Sequence, residues 1–255
     1  MIQLILWLAV ILAVIAGVIY YKRPSKKTSQ ALGAVSIATQ SYALILLFLE
    51  KDGFDFLTIG MLIAVIGNLL LWFSNRNKDL SLLLLVSFPL AALVIAFNAI
   101  VPWQLEQLHS QSFGTSAHIL IATVAYSLFT AACGVGVLLS LQEYQLKHHK
   151  LKQLLRVPPL QVLEKLMFEF IWAAFILLTI TIVTGIYFID DMFIQKLAHK
   201  TVFTISSWFV FAGLLIGRHW AGWRSQLAVK LTICGFVLLM LGYFGSKIVI
   251  QFILT

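Results

Sequence analysis

Two of the six histidines in this 255-residue chain stand where a long apolar run is about to begin. His118 follows Thr115 and Ser116, residue types that cap a helix start, and His199 opens the stretch HKTVFTISSW. An ionisable side chain within a membrane segment is costly and marks a functional position by default. One, two and three turns below His118 come Ala122, Ala125 and Phe129, and below His199 come Phe203, Ser206 and Val210, so the helical period puts small and aromatic residues beneath each imidazole. That leaves room for a flat apolar ligand. Zinc wants three or four ligands, and no third cysteine or carboxylate is fixed at that depth. Haem iron needs only two axial donors, and its macrocycle suits an apolar wall. His118 and His199 are therefore the expected axial pair, with His109, in the preceding outer segment, as a further candidate.

Lys196 and Lys200 flank His199, and Lys247 lies near the end of the last apolar run. Ammonium groups at that level can make charge-assisted contacts to the propionates of haem, a role expected of Lys200 and Lys247 in particular. Each residue also has a plainer reading. A lone imidazole tolerates the membrane interface and donates to a neighbouring carbonyl, and a lysine there snorkels to the headgroups.

The elements that must position these residues follow from composition. The chain is 61% hydrophobic and 11% charged, against roughly a quarter charged in soluble domains. A transmembrane helix needs about 20 apolar residues, and breaking the chain at its charge clusters gives eight such runs, roughly 2–20, 30–49, 56–73, 80–100, 116–141, 166–189, 199–217 and 228–250. The expected fold is all-α: a polytopic bundle of eight transmembrane helices, one integral membrane domain over 1–255. The first run has no basic residue before its apolar core and is followed by YKRPSKK, which reads as an uncleaved anchor with its N-terminus outside. Threading on from there leaves only Lys51, Lys196, Lys200 and Lys247 of the 18 basic residues on the outer side, as the positive-inside rule requires, and puts both termini outside. The net charge of +8 is then a topology signal. The cations are divided among short inner loops with no stacking platform between them, so no nucleic-acid partner is expected.

Several chemistries are unsupported. Cys133 and Cys234 form no Cys-x-x-Cys pair, which argues against thiol exchange and covalent haem attachment to this chain. A P-loop, a His-Glu-x-x-His site and a Gly-x-Ser-x-Gly elbow are missing. No internal repeat suggests a transporter of inverted halves.

From residue 117 onward the segments AHILIATVAYSLF, PPLQVLEKLMFEFIW, LLTITIVTGIYF, HKTVFTISSWFVFAGLLIGRHWAGWR and GFVLLMLGYFGSKIV resemble the cytochrome c assembly protein family, and within it a short eight-helix branch of bacterial inner-membrane proteins. The family-like core covers residues from roughly 80 to 250. The resemblance implies haem as ligand, a place in cytochrome c assembly and other assembly proteins as partners, and it puts His118 where the first of two haem-flanking histidines falls. It does not extend to His199, because IDDMFIQKLAHKTVF stands where haem-exporting members carry a tryptophan-rich motif, with no tryptophan before Trp208. Gln40 likewise occupies a depth where members of this branch carry a histidine. The implied role is that of a haem-handling accessory rather than an enzyme.

A second class of function is a scaffold or regulator without haem that docks a cytoplasmic protein. Its candidate surface is the basic segment QEYQLKHHKLKQLLRVPP, with Lys147, Lys150, Lys152 and Arg156, which reads first as a headgroup anchor alongside GRHWAGWR. Pro89 is expected to kink its helix. Gln40, Asn68, Thr179, Thr181 and Thr184 are expected to hydrogen-bond between helices.

Overall fold

The computed structural model describes residues 2–22, 25–51, 56–100, 113–148, 158–188 and 198–245, with only the backbone described at 51, 56, 188, 198–200, 244 and 245. Among these residues are eight helices: α1 (Ile2–Lys22), α2 (Lys26–Lys51), α3 (Phe56–Ser74), α4 (Ser81–Ile100), α5 (Phe113–Lys147), α6 (Leu160–Phe188), α7 (Ala198–Trp220) and α8 (Ser225–Met240), the last running into a π-helical turn at Leu241–Gly245. All eight are long and apolar enough to cross a membrane. The chain divides into two compact units, one containing α1 to α4 and the other α5 to α8.

In the first unit α1 packs on α2 and α4, and α3 completes the ring against both. Contacts between α1 and α4 run antiparallel, Gly17 against Pro89 and Tyr20 against Phe88. Between Leu6 and Tyr20 the buried stripe of α1 is Ala9, Ala13, Ala16 and Gly17, small residues that let helix backbones approach where lipid gives no hydrophobic drive for helices to associate. Pro89 lies inside α4, which runs unbroken through it, and its ring fills the place a side chain on Gly17 would need: a Cβ there would stand 2.9 Å from both Cγ and Cδ. Several polar residues of the spans bond to one another or to a neighbouring carbonyl. Gln40 donates to Ser36 Oγ at 3.0 Å, and Asn68 reaches Gln40 Oε1 at 3.4 Å. Trp72 donates its indole N–H to the Gln30 carbonyl at 3.0 Å.

In the second unit α5 packs on α6 and α8, with α7 set against both of those. At 35 residues, α5 is about 52 Å long at ~1.5 Å per residue, well beyond the ~30 Å hydrocarbon layer. Its C-terminal turns are held by polar bonds. Glu143 pairs with Lys147 at 2.9 Å, takes Gln226 Nε2 at 2.9 Å and accepts the Ser225 hydroxyl. At the same end Arg218 is ion-paired with Glu164 and lies over the Phe168 ring at 4.4 Å. Trp223 folds back onto Gly217, through a turn in which Gly222 has φ 63°. Deeper in, Phe129 stacks on Phe211 at 4.0 Å, and Phe211 in turn sits where a side chain on Gly235 would be.

Two stability tests follow. Gly17→Ala pushes against the Pro89 ring and lowers the thermal unfolding midpoint in detergent, at a cost of about 1–3 kcal/mol. Gly67→Ala, where nothing lies within 4 Å of the new Cβ, leaves the midpoint unchanged or raises it, since alanine is the better helix former by about 0.5–1 kcal/mol. Arg218→Met strands a Glu164 side chain that is only 16% exposed and costs about 1–3 kcal/mol. Lys147→Met, at a lysine 64% exposed, costs at most about 1 kcal/mol.

Candidate functional site: His118 and the head of the second unit

His118 lies in the second turn of α5 and is half-buried. Its Nδ1 is 2.9 Å from Thr184 Oγ1 on α6. The threonine hydroxyl has one proton, and its own helix offers two carbonyls to take it, Ile180 O at 2.9 Å and Thr181 O at 3.1 Å. With the hydroxyl proton given to one of those carbonyls, the ring is the donor, Nδ1–H to Thr184 Oγ1; with it given to Nδ1, the ring accepts. A metal-binding histidine is prepared in this way, its second ring nitrogen fixed by a hydrogen bond that sets tautomer and orientation.

Thr179 repeats the device one to two turns deeper. Its hydroxyl donates to Phe175 O at 2.8 Å and accepts the Trp208 indole N–H at 2.9 Å, while Phe175 and Trp208 stack at 5.3 Å. Thr179 thus ties α6 to α7 and Thr184 ties α6 to α5, as expected of interhelical threonines. Thr181 instead bonds back to Leu177 O at 2.8 Å.

The head of α7 is placed by contacts below it. Tyr126 hydrogen-bonds to the Thr204 side chain and Phe129 stacks on Phe211, so α5 and α7 run in the same direction. His118 lies eight residues above Tyr126, about 12 Å along its helix, and the backbone of residue 199 lies five above Thr204, about 7.5 Å along its own. The two positions thus stand on the same side of one contact. Tyr126 also packs on Tyr243 of the π-helical turn at 5.8 Å. The space expected beneath the histidines is partly filled. Ala125 and Phe129 are fully buried, and the Phe129–Phe211 stack closes the floor. On α7 the buried face is Ser207, Phe211 and Leu214, with Ser207 donating to Gly235 O at 2.8 Å. The stripe Phe203, Ser206 and Val210 is a half-buried flank.

Of the other expected site residues, His109, Lys196 and Lys247 lie outside the described residues, and of His199 and Lys200 only the backbone is described. In the basic segment, Lys147 is paired with Glu143, and Lys150, Lys152 and Arg156 lie outside the described residues. Gln40 is fully buried and bonded within the first unit. Among the described residues no three of His, Cys, Asp and Glu converge as a metal site. Thr184 was not singled out as a partner of His118 by the sequence pattern, which carries no signal linking positions 66 residues apart.

A family model described as cytochrome c assembly protein matches residues 1–254. The chain is 31% identical over 198 residues to inner membrane protein YpjD of Escherichia coli strain K12, covering 77% of this chain and 75% of that one. It is 29% identical over 140 residues to a 28.8 kDa protein of Azospirillum brasilense, covering 54% and 52%. No solved structure matches it. With eight membrane-spanning helices and an inner-membrane relative over three quarters of its length, this is a multi-pass inner-membrane protein, and it belongs to the cytochrome c assembly protein family.

Proposed function

We propose that the protein handles haem for cytochrome c assembly, as a non-catalytic component that holds the macrocycle at the head of its second unit, on the outer face of the membrane. Family membership supports the role in assembly. The observation that carries the haem reading is the His118–Thr184 hydrogen bond, because a partner at Nδ1 orients a half-buried imidazole as in metal-ligating histidines. The donor set fits the group. His118 and His199 would hold the iron axially, with His109 as the alternative second donor, and Lys200 and Lys247 would meet the propionates. The Phe129–Phe211 stack confines the ligand to the first turns of α5 and α7, close to the membrane surface, where a cargo can be passed on. Haem bound here is cargo, and the work of the chain is to bind, orient and release it. The partners of this reading are membrane lipid, haem and other cytochrome c assembly proteins.

The test is an absorption spectrum of protein purified in mild detergent and supplied with haem. A Soret band is expected, much weakened in His118→Ala with helical circular dichroism intact. Thr184→Val, which keeps the shape and removes the acceptor, lowers haem affinity by about 10- to 100-fold, and Thr184→Ser restores it. A spectrum without a Soret band, or one indifferent to His118→Ala, refutes the proposal.

A further inference from the structure

The end of the first unit where α1 and α3 finish and α2 and α4 begin encloses a second site, unrelated to the histidines. A cleft of about 180 Å3 is lined there by Tyr20, Ser25, Lys26, Ser29, Asn75, Asp79 and Ser81. It is smaller than the ~300–1,000 Å3 of pockets that take a drug-sized or macrocyclic ligand, so haem does not fit it.

The lining is rich in donors. Lys26 gives one proton to Arg76 O at 2.9 Å, and an ammonium has three. Asn75 is 4% exposed, and its Oδ1 accepts Leu80 N at 2.6 Å, so the donor end of the amide is the one left for the cleft. Two helix N-termini meet at this wall. Ser25 caps α2 by accepting Thr28 N at 3.0 Å. Asp79, the one carboxylate among the described residues of the lining, is turned to the head of α4, where its Oδ1 accepts the Ser81 hydroxyl at 2.7 Å. Helix N-termini attract anions through their exposed N–H groups and the helix dipole.

The decisive feature is Tyr20. Its side chain is 2% exposed and stacked on Phe88 at 5.8 Å, yet its hydroxyl has no hydrogen-bond partner. A side chain on Gly33 would collide with that hydroxyl at 2.7 Å, so the absence of a Cβ there is what admits it. A buried hydroxyl left unpaired is destabilising, and phenylalanine would stack equally well. The hydroxyl is therefore explained by something it bonds when the cleft is filled.

We infer that this cleft binds a phosphate ester, its oxygens taken by Lys26, Tyr20 and Asn75 between the heads of α2 and α4. Asp79 stands where an amino or hydroxyl substituent of the same ligand would lie. A phospholipid headgroup and a small soluble phosphate share this chemistry.

The experiment measures the thermal unfolding midpoint of the full chain in phosphate-free detergent, titrated with inorganic phosphate in one arm and with phosphatidylglycerol mixed micelles in the other. A rise with phosphate identifies a soluble ligand, and a rise with the lipid alone identifies a headgroup. Either rise should vanish in Lys26→Gln, shrink in Tyr20→Phe and persist in Lys27→Gln, whose lysine is outside the lining. Without ligand, Tyr20→Phe should unfold at the same temperature as the native chain or higher, because it removes an unsatisfied group. The inference is overturned by no rise in either arm, by a rise equal in Lys26→Gln, or by a Tyr20→Phe protein that is less stable before any ligand is added.

Discussion

Helices that are all equally apolar gain little by hiding from lipid, so what joins them is how closely their backbones approach and which polar groups they share. Both terms are visible at named positions. Gly17 receives Pro89, Gly33 receives Tyr20 and Trp72, Gly136 faces Met167 and Gly235 receives Phe211. At each of these a large side chain of one helix occupies the space a Cβ would take on the next, so the bulk needed for dispersion contact is supplied by one partner and the clearance by the other.

One pattern of polar sharing recurs in both units. Serine and threonine hydroxyls spend their proton on a carbonyl three or four residues back, as at Ser29, Thr39, Thr123, Ser127, Thr179, Thr184 and Thr232. In lipid that contact satisfies the proton without a partner helix. It also makes the oxygen an acceptor for a donor on a neighbouring helix. Trp208 uses Thr179 in this way, and His118 uses Thr184. A packing habit of membrane helices thus places a partner at Nδ1 of a candidate ligand.

The eight spans were legible because hydropathy over about 20 residues is a strong signal. Their ends were not, because helices continue into polar sequence when a cap or a pairing supports them. The apolar run of α2 begins near residue 30, but Ser25 caps the helix and starts it at Lys26. The apolar run of α5 ends near 141, and the helix continues into the basic segment after it, as expected, to Lys147, where Glu143 bonds to Lys147, Ser225 and Gln226. α6 begins at Leu160 instead of near 166, with Pro159 O accepting the amides of Val162 and Leu163. Of the site, His118 could be singled out from its residue type and depth. Its link to Thr184 could not, nor could the Tyr20 cleft, which draws on the ends of four helices: such juxtapositions depend on which helix lies beside which, and periodicity within one helix does not contain that.

The central claim is that Thr184 fixes His118 with its proton on Nδ1 and its lone pair on Nε2. Nitrogen-15 solid-state NMR of histidine-labelled protein in lipid, comparing the native chain with Thr184→Val to assign the His118 resonances, reads this directly. A protonated, hydrogen-bonded Nδ1 and an unprotonated Nε2 at neutral pH are predicted. A protonated Nε2 with Nδ1 accepting the threonine proton would contradict the account.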